Sequence, residues 1–361
     1  MNAELRRVRR WARVALVSAM LVVLAGAVVR TTGSGMGCPD WPKCFGLAIP
    51  PTRLEQVEWS SSTAYNAGRM VLVADTLWVA EVDHTSGTTG FASEREAGRW
   101  SAYTVHDYTH FAPHHTWIEF INRLLGAWTG IPALVLCAVT ALLGFRHGLW
   151  RPGVAAVVGL VLLGYVAWLG KLVVDGNLVP FSITKHMLGA VAIVMAFAAA
   201  VAAATPPALN EPVAVLRKAR KRWQVVVGLA WAIAVAQLVF GTQVREAVDA
   251  VAATGLQRGQ WLEALPSWWK GHRSAAWAVA LVHAAWLGPV FRAPEFRWRS
   301  VPAAVAGVLV AQFATGIAFA YADMPAWSQP VHLLLGVLLV VLDLWVLLRL
   351  RAAVQPLQVT G

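Results

Sequence analysis

Charge is scarce in this chain. Asp, Glu, Lys and Arg make up 14% of its 361 residues, whereas 58% are hydrophobic. Soluble domains carry about 25% charged residues, so the composition excludes an ordinary soluble protein. The apolar residues form eight long blocks, at about 12–29, 117–143, 153–174, 184–204, 223–243, 274–291, 301–322 and 331–348. A bilayer core requires about 20 apolar residues per helix, which predicts an all-α integral membrane protein with eight transmembrane helices.

Acidic residues are the scarcer charged class, with 19 Asp and Glu against 30 Lys and Arg. Seventeen of the basic residues lie in the two terminal segments and in the segments after the second, fourth and sixth blocks. Lys and Arg concentrate on the cytoplasmic side of a membrane, so we predict that both termini are cytoplasmic in a bacterial inner membrane. The net charge of +11 then reflects this bias and the anionic inner leaflet, and it is no evidence of nucleic-acid binding.

Cysteine is also rare, with three residues in all. Cys137 lies inside the second block, where we interpret it as a small core residue. Cys38 and Cys44 flank a Pro-rich turn on the predicted outer side. An oxidising compartment favours a disulfide between them, the alternative being two unpaired thiols. Such a bridge is either structural or redox-active, and its sequence does not separate the two roles.

A basic linker at 205–222 divides the chain into two units of four spans, residues 1–205 and 206–361. The first unit carries a long outer loop at 31–115, which is too long to lack structure of its own. Because each unit has an even number of spans, we predict a parallel repeat of two pseudo-symmetric four-helix bundles. Three pairs of motifs recur in register in the two units: Gly26 to Arg30 with Gly241 to Arg245, Asn122-Arg123 with His272-Arg273, and His186 with His332.

Two histidines open the sixth and eighth spans at similar depth. Imidazoles on facing helices of an apolar bundle suit an iron porphyrin ligated from both sides, which predicts a haem site at His272 and His332. The alternative is a pair of interfacial histidines bonded to loops and water. Arg273 either pairs with a haem propionate or is an ordinary helix-end arginine. In the first unit His186 has no symmetric partner, because Asn122 stands where a His is expected.

Polar residues cluster around Asn122. Glu119 lies three residues before Asn122 and four before Arg123, within one helical turn. Glu119 and Arg123 either form a simple ion pair or hold a carboxylate beside a porphyrin edge for acid-base or electrostatic work. Lys171, Asp175 and Lys185 at the outer span edges either hold propionates or are solvated.

Other histidines are weaker candidates. His106, His110 and His114 recur every four residues before the second span, which suits a metal on one helix face, although Pro113 interrupts that helix. His283 lies three turns deeper than His272 on the same face. We interpret it as a satisfied core histidine, with haem contact or proton relay as the alternative.

An ordered set of motifs in both halves resembles the heme A synthase family. These motifs are Arg30-Thr31-Thr32-Gly33-Ser34-Gly35, Cys38-Pro39-Asp40-Trp41-Pro42, Glu119-Phe120-Ile121-Asn122-Arg123, Leu169-Gly170-Lys171, Thr184-Lys185-His186, His272-Arg273 and Pro330-Val331-His332. The resemblance implies oxidation of the C8 methyl of haem O to a formyl group by successive hydroxylations.

The resemblance also assigns roles to residues. It implies a bis-His haem b cofactor at His272 and His332, a catalytic Glu119, a substrate-side His186 and an outer-loop disulfide. The family usually has His where this chain has Asn122, and a carboxamide is a poor iron ligand. Haem O would then be ligated by His186 alone or with another group, and the departure is equally compatible with an altered or lost activity.

The resemblance also implies partners: the farnesyltransferase that supplies haem O, a membrane electron acceptor and the lipid bilayer, with a homo-oligomer as a further option. Two other functions remain open. One is a bis-His membrane cytochrome b that transfers electrons without modifying haem, and the other is a non-catalytic haem-binding or assembly protein. Glu119 favours the enzyme, because an electron carrier needs no carboxylate beside an asymmetric site.

Overall fold

The computed structural model describes residues 2–105, 111–175, 182–205, 216, 219–293 and 301–352. Within these ranges, eight helices are long and apolar enough to cross a membrane, which confirms the predicted fold class. They are α1 (Asn2–Thr31), α3 (Pro113–His147), α4 (Arg151–Asp175), α5 (Ser182–Ala203), α6 (Arg220–Ala252), α8 (Trp269–Phe291), α9 (Val301–Tyr321) and α10 (Ser328–Ala352). Two short helices, α2 (Phe91–Glu96) and α7 (Arg258–Ala264), lie in the connections.

Several helices are longer than their apolar blocks. α3 has 35 residues and α6 has 33. At about 1.5 Å per residue each measures roughly 50 Å, whereas the hydrocarbon core of a bilayer is about 30 Å thick. Both helices therefore continue past the hydrocarbon region, and α6 does so with the ion pair of Arg245 and Asp249 on its final turns.

The long outer loop has structure of its own, as its length indicated, and much of that structure is β. Its strands are β1 (Ala64–Tyr65), β2 (Met70–Val73), β3 (Thr76–Ala80), β4 (His84–Thr85) and β5 (Trp100–Ala102). β2, β3 and β5 form an antiparallel sheet, and β1 pairs with β4. Ala74 and Asp75 both have positive φ, as a two-residue hairpin turn between β2 and β3 requires. Tyr65 and Trp100 pack edge to face in the core beneath the sheet.

The chain divides into two compact units. One comprises residues 25–127 and 166–186, and the other comprises residues 2–24, 128–165 and 187–352 within the described ranges. In the second unit α6 packs against α8 and α10, and α9 packs against the same two helices. α8 and α10 are thus diagonal partners across a four-helix arrangement. The division at the 205–222 linker, the pseudo-symmetry of the two halves and the cytoplasmic termini remain predictions.

Candidate functional site

The two histidines of the C-terminal half meet across the diagonal of their helices. His272 lies in the first turn of α8 and His332 in the second turn of α10, and their ring centroids are 6.5 Å apart. Gln237 donates a hydrogen bond to the backbone carbonyl of His272 at 2.7 Å. The Thr315 hydroxyl lies 2.7 Å from Nδ1 of His332. The sequence prediction that these two histidines come together agrees with this placement.

The spacing of the two rings fits a metal held between them. Two metal–nitrogen bonds of about 2 Å, with the half-width of each imidazole, place the ring centroids roughly 6.3 Å apart. Nδ1 of His272 is buried and makes no hydrogen bond to any part of the chain that the structure describes. A buried polar atom without a partner is costly, so this atom suits a site that is completed by a bound group.

Glycines face both rings. A Cβ on Gly241 of α6 would lie 3.1 Å from Cε1 of His272, and one on Gly316 of α9 would lie 4.0 Å from Cε1 of His332. The absence of side chains at these points leaves room beside each imidazole. The residues present therefore fit a flat porphyrin between α8 and α10.

The N-terminal half repeats this arrangement of glycines. A Cβ on Gly170 of α4 would lie 3.3 Å from Cε1 of His186, and one on Gly26 of α1 would lie 3.8 Å from Oδ1 of Asn122. Oδ1 of Asn122 and Nδ1 of His186 are both buried and make no hydrogen bond within the described ranges. Each ligand-type position of the chain thus faces a glycine on the span before it, and Asn122 takes the place of a histidine in this register.

Glu119 is buried and fully engaged. Oε2 accepts a hydrogen bond of 2.9 Å from the backbone N–H of Cys38, and Oε1 forms an ion pair with Arg123. The alternative of an i,i+4 ion pair is therefore present in the structure. Arg123 also donates to the carbonyl of Asp40 at 2.7 Å and to that of Lys43 at 3.1 Å. This network holds the carboxylate in place, three residues before Asn122 on α3.

The disulfide loop forms most of that network. Cys38 and Cys44 are joined by a disulfide bond, as predicted. The Thr116 hydroxyl donates to the Gly37 carbonyl at 2.8 Å. A Cβ on Gly37 would lie 2.5 Å from the backbone carbonyl of His115, so only glycine allows the loop to approach α3 this closely. The loop therefore packs by its backbone against the first turns of α3.

Asp40 stabilises the same loop from within. Its carboxylate accepts hydrogen bonds from the N–H groups of Phe45, at 2.6 Å, and Gly46, at 2.9 Å. Burial nevertheless raises the pKa of this carboxyl, because desolvation outweighs the hydrogen bonds and the charge of Arg123.

Residues 9–73 and 82–344 match the sequence model of a family described as cytochrome oxidase assembly protein. The chain belongs to the heme A synthase family. No solved structure matches it.

Two curated relatives within the family are named heme A synthase. The one from Shewanella oneidensis is 26% identical over 177 residues, which is 49% of this chain and 39% of the relative. The one from Bacillus licheniformis is 36% identical over 64 residues, which is 17% of this chain and 21% of the relative. The matched stretches thus cover less than half of either relative's length. The family membership and the apolar helices identify a multi-pass membrane protein of bacterial type.

A buried His–Asp pair lies deeper in this heme A synthase family member. His283 and Asp343 are fully buried, and Nε2 of His283 lies 2.9 Å from Oδ2 of Asp343. Nδ1 of His283 donates to the carbonyl of Val279 at 2.8 Å. His283 is a satisfied core histidine, as we interpreted it. Asp343 was not predicted, although it is the single acidic residue of α10. It lies eleven residues after His332, as His283 does after His272.

Other candidates lie at exposed positions or outside the described residues. Arg273 is exposed, with its guanidinium 5.3 Å from the centre of the Trp269 ring, and Lys185 is exposed as well. His106, His110 and the side chain of Asp175 lie outside the described residues. Where the structure describes the chain, no three His, Cys, Asp or Glu residues are grouped as a metal site.

Proposed function

We propose that this chain is a heme A synthase that oxidises the C8 methyl of haem O to a formyl group by successive hydroxylations. The observation that carries the proposal is the His272–His332 pair, whose centroids are 6.5 Å apart between two glycine faces, in a chain of the heme A synthase family. The two halves then have different tasks: the C-terminal half holds a haem b cofactor, and the N-terminal half binds the substrate.

In the C-terminal half, His272 and His332 hold haem b. Gly241 and Gly316 leave room for the macrocycle beside the two rings. Haem b supplies one-electron transfer when it is bound. The helices around it exclude water, since a low-dielectric bundle keeps the cofactor and its ligands desolvated.

In the N-terminal half, His186 is the protein ligand to the iron of haem O. Asn122 leaves the opposite position without an imidazole, because a carboxamide is a weak iron ligand. Arg123 is held in place by Glu119 and two loop carbonyls, and we assign its guanidinium to the substrate's propionates.

Glu119 is the proposed catalytic residue. The Cys38 N–H and Arg123 hold its two oxygens in place, so the carboxylate needs little reorganisation as charge develops at the substrate. The disulfide loop has a positioning role here, because it supplies the N–H that binds Glu119 and the carbonyls that bind Arg123.

The membrane context completes the proposal. We place the haem sites near the outer face, with both termini cytoplasmic, because most basic residues flank the opposite ends of the helices. In this proposal the farnesyltransferase would supply haem O, and a membrane acceptor would take up the electrons that the oxidation releases.

Expression of the chain with a haem O source, followed by pigment extraction and mass analysis, tests the proposal. We expect haem A and its hydroxylated precursor. Recovery of haem O unchanged beside an intact low-spin haem b would overturn the enzyme and favour an electron-transferring cytochrome. If haem O is unchanged and no haem b is found, the result would favour an assembly protein without a redox role.

A further inference from the structure

Thr315 of α9 contacts one ligand-type histidine directly. Its hydroxyl oxygen lies 2.7 Å from Nδ1 of His332 and 3.0 Å from each of the carbonyls of Ala311 and Gln312 on its own helix. A threonine hydroxyl has one proton to donate and two lone pairs to accept with. The carbonyls only accept, so a hydroxyl that donates to one of them accepts a hydrogen bond from Nδ1–H of His332.

With its hydroxyl proton on a carbonyl of its own helix, Thr315 selects one tautomer of the His332 imidazole. With the proton on Nδ1, the lone pair of a neutral imidazole lies on Nε2, the nitrogen then free for a metal. Thr315 also fixes the rotation of the ring, since the hydrogen bond sets the direction of Nδ1. Histidine ligands in metal sites commonly have such a partner, which raises their basicity as ligands.

The N-terminal half lacks this hydroxyl. Gly170 faces His186 as Gly316 faces His332, so Leu169 stands where the other half has Thr315. Leu169 is buried and its side chain has no polar atom. The His186 ring has the backbone carbonyl of Val166 as a hydrogen-bond partner, whereas its buried Nδ1 makes no hydrogen bond among the described residues.

We propose that Thr315 is a positioning residue that retains the cofactor on His332, and that Leu169 keeps the haem on His186 exchangeable. The proposal rests on the proposed function, in which the first haem is resident and the second is a substrate that must leave as product. Loss of the hydrogen-bond partner of a metal-bound histidine weakens metal affinity by about 10- to 100-fold. The same difference between the two halves would separate a permanent haem from a transient one.

The test measures haem retention in the full-length protein purified in detergent. Thr315→Val removes the hydroxyl at nearly constant shape, and Thr315→Ser keeps it. Thr140→Val removes a buried hydroxyl of α3 whose hydrogen bonds, among the described residues, go to its own helix. An excess of apomyoglobin captures released haem b, and visible absorbance gives the rate. We expect Thr315→Val to release haem b about 10- to 100-fold faster than wild type. The Ser and Thr140 variants should remain within about twofold of wild type.

The reciprocal substitution keeps the test decisive if Thr315→Val fails to fold. Leu169→Thr supplies a hydroxyl beside His186, and we expect haem O to dissociate more slowly from it than from wild type. A second readout is the haem b reduction potential, which should rise in Thr315→Val because the less basic ligand stabilises the ferric state less.

Two results would overturn the proposal: equal haem b release and an equal potential in wild type and Thr315→Val, or unchanged haem O release in Leu169→Thr. Failure of the proposed function gives a different result. In that case no haem A forms, but Thr315→Val still releases haem b faster than wild type. If both His272→Ala and His332→Ala retain haem b, the assignment of these histidines as ligands is itself refuted.

Discussion

The His283–Asp343 pair should dominate the stability of the C-terminal helices. Both side chains are fully buried, and Nε2 of His283 lies 2.9 Å from Oδ2 of Asp343. The second carboxylate oxygen, Oδ1, makes no hydrogen bond within the described chain. His283→Ala leaves the carboxyl group buried without its partner. Breaking a buried pair from one side costs about 3–5 kcal/mol, because the remaining group keeps its desolvation penalty. At about 2–4 °C per kcal/mol this predicts a fall of Tm of roughly 6–20 °C.

The N-terminal half supplies a matched replacement. Eleven residues after Asn122 and His186 lie Ala133 and Phe197, both fully buried. The double variant His283→Ala/Asp343→Phe reproduces that apolar pair with a similar combined volume. Because replacing a whole buried pair by packed apolar groups is often neutral, the double variant should recover most of the lost stability.

Thermal unfolding in detergent, followed by circular dichroism, measures both variants. Asp343→Asn adds a control, since the amide keeps a hydrogen bond to His283 without a carboxyl group. The reasoning is refuted if the double variant is less stable than His283→Ala, because the cost would then come from lost volume and not from the unpaired group.

Three further predictions concern the haem sites and the outer loop. His272→Ala should abolish the low-spin haem b spectrum, whereas Asn122→Ala should leave haem b unchanged. Gly241→Leu should also lower haem b content, since its side chain enters the space beside His272, and Gly307→Leu should not, because a Cβ there meets nothing within 4 Å. Glu94→Gln should destabilise the outer loop at neutral pH. The Gly87 N–H and Arg99 hold the pKa of Glu94 below its usual value, so its contribution is present above the unfolded pKa and is lost as pH falls through the folded pKa.

Absorbance and pyridine haemochrome analysis check the first two predictions. A loss of haem b in Asn122→Ala as large as in His272→Ala would show that Asn122 serves the cofactor site. Equal haem content in the two glycine variants would mean that the helices yield at Gly241. Proteolysis of the outer loop against pH checks the third, and a Glu94→Gln defect that does not diminish as the pH falls through the folded pKa of Glu94 would contradict it.

The sequence predicted the parts of the fold that the bilayer dictates. Apolar length alone locates eight helices, because each must cross the same hydrocarbon thickness. The pairing of His272 with His332 was also predictable, since two polar groups at similar depth require a common partner. Asp343 and Thr315 were not recognised. Which residue faces His283 or His332 depends on how each helix is rotated in the packed bundle, and neither partner is near its histidine in sequence.

The outer loop shows a second limit of prediction. Its strands have two to five residues, too few for a clear alternating pattern, and they pair through contacts far apart in sequence. The segment 66–82 has only a weak amphipathic pattern, and it contains the β2–β3 hairpin. By contrast, the Cys38–Cys44 bridge was predictable from compartment and spacing.

On both α8 and α10, the haem-ligand position and the deeper buried position are eleven residues apart. This shared spacing limits how the helices of such a protein are able to diverge during evolution. One residue inserted between His272 and His283 would rotate one of them by about 100° around the helix relative to the other. His332 and Asp343 on α10 would then no longer both contact their partners on α8. Point substitution does not disturb this register. The N-terminal half has Asn122 in place of a histidine, and Ala133 and Phe197 in place of the His–Asp pair. These differences change the chemistry at the positions but leave the spacing between them unchanged. Lineages of this fold should therefore differ in which residues occupy these positions far more than in the helix lengths between them.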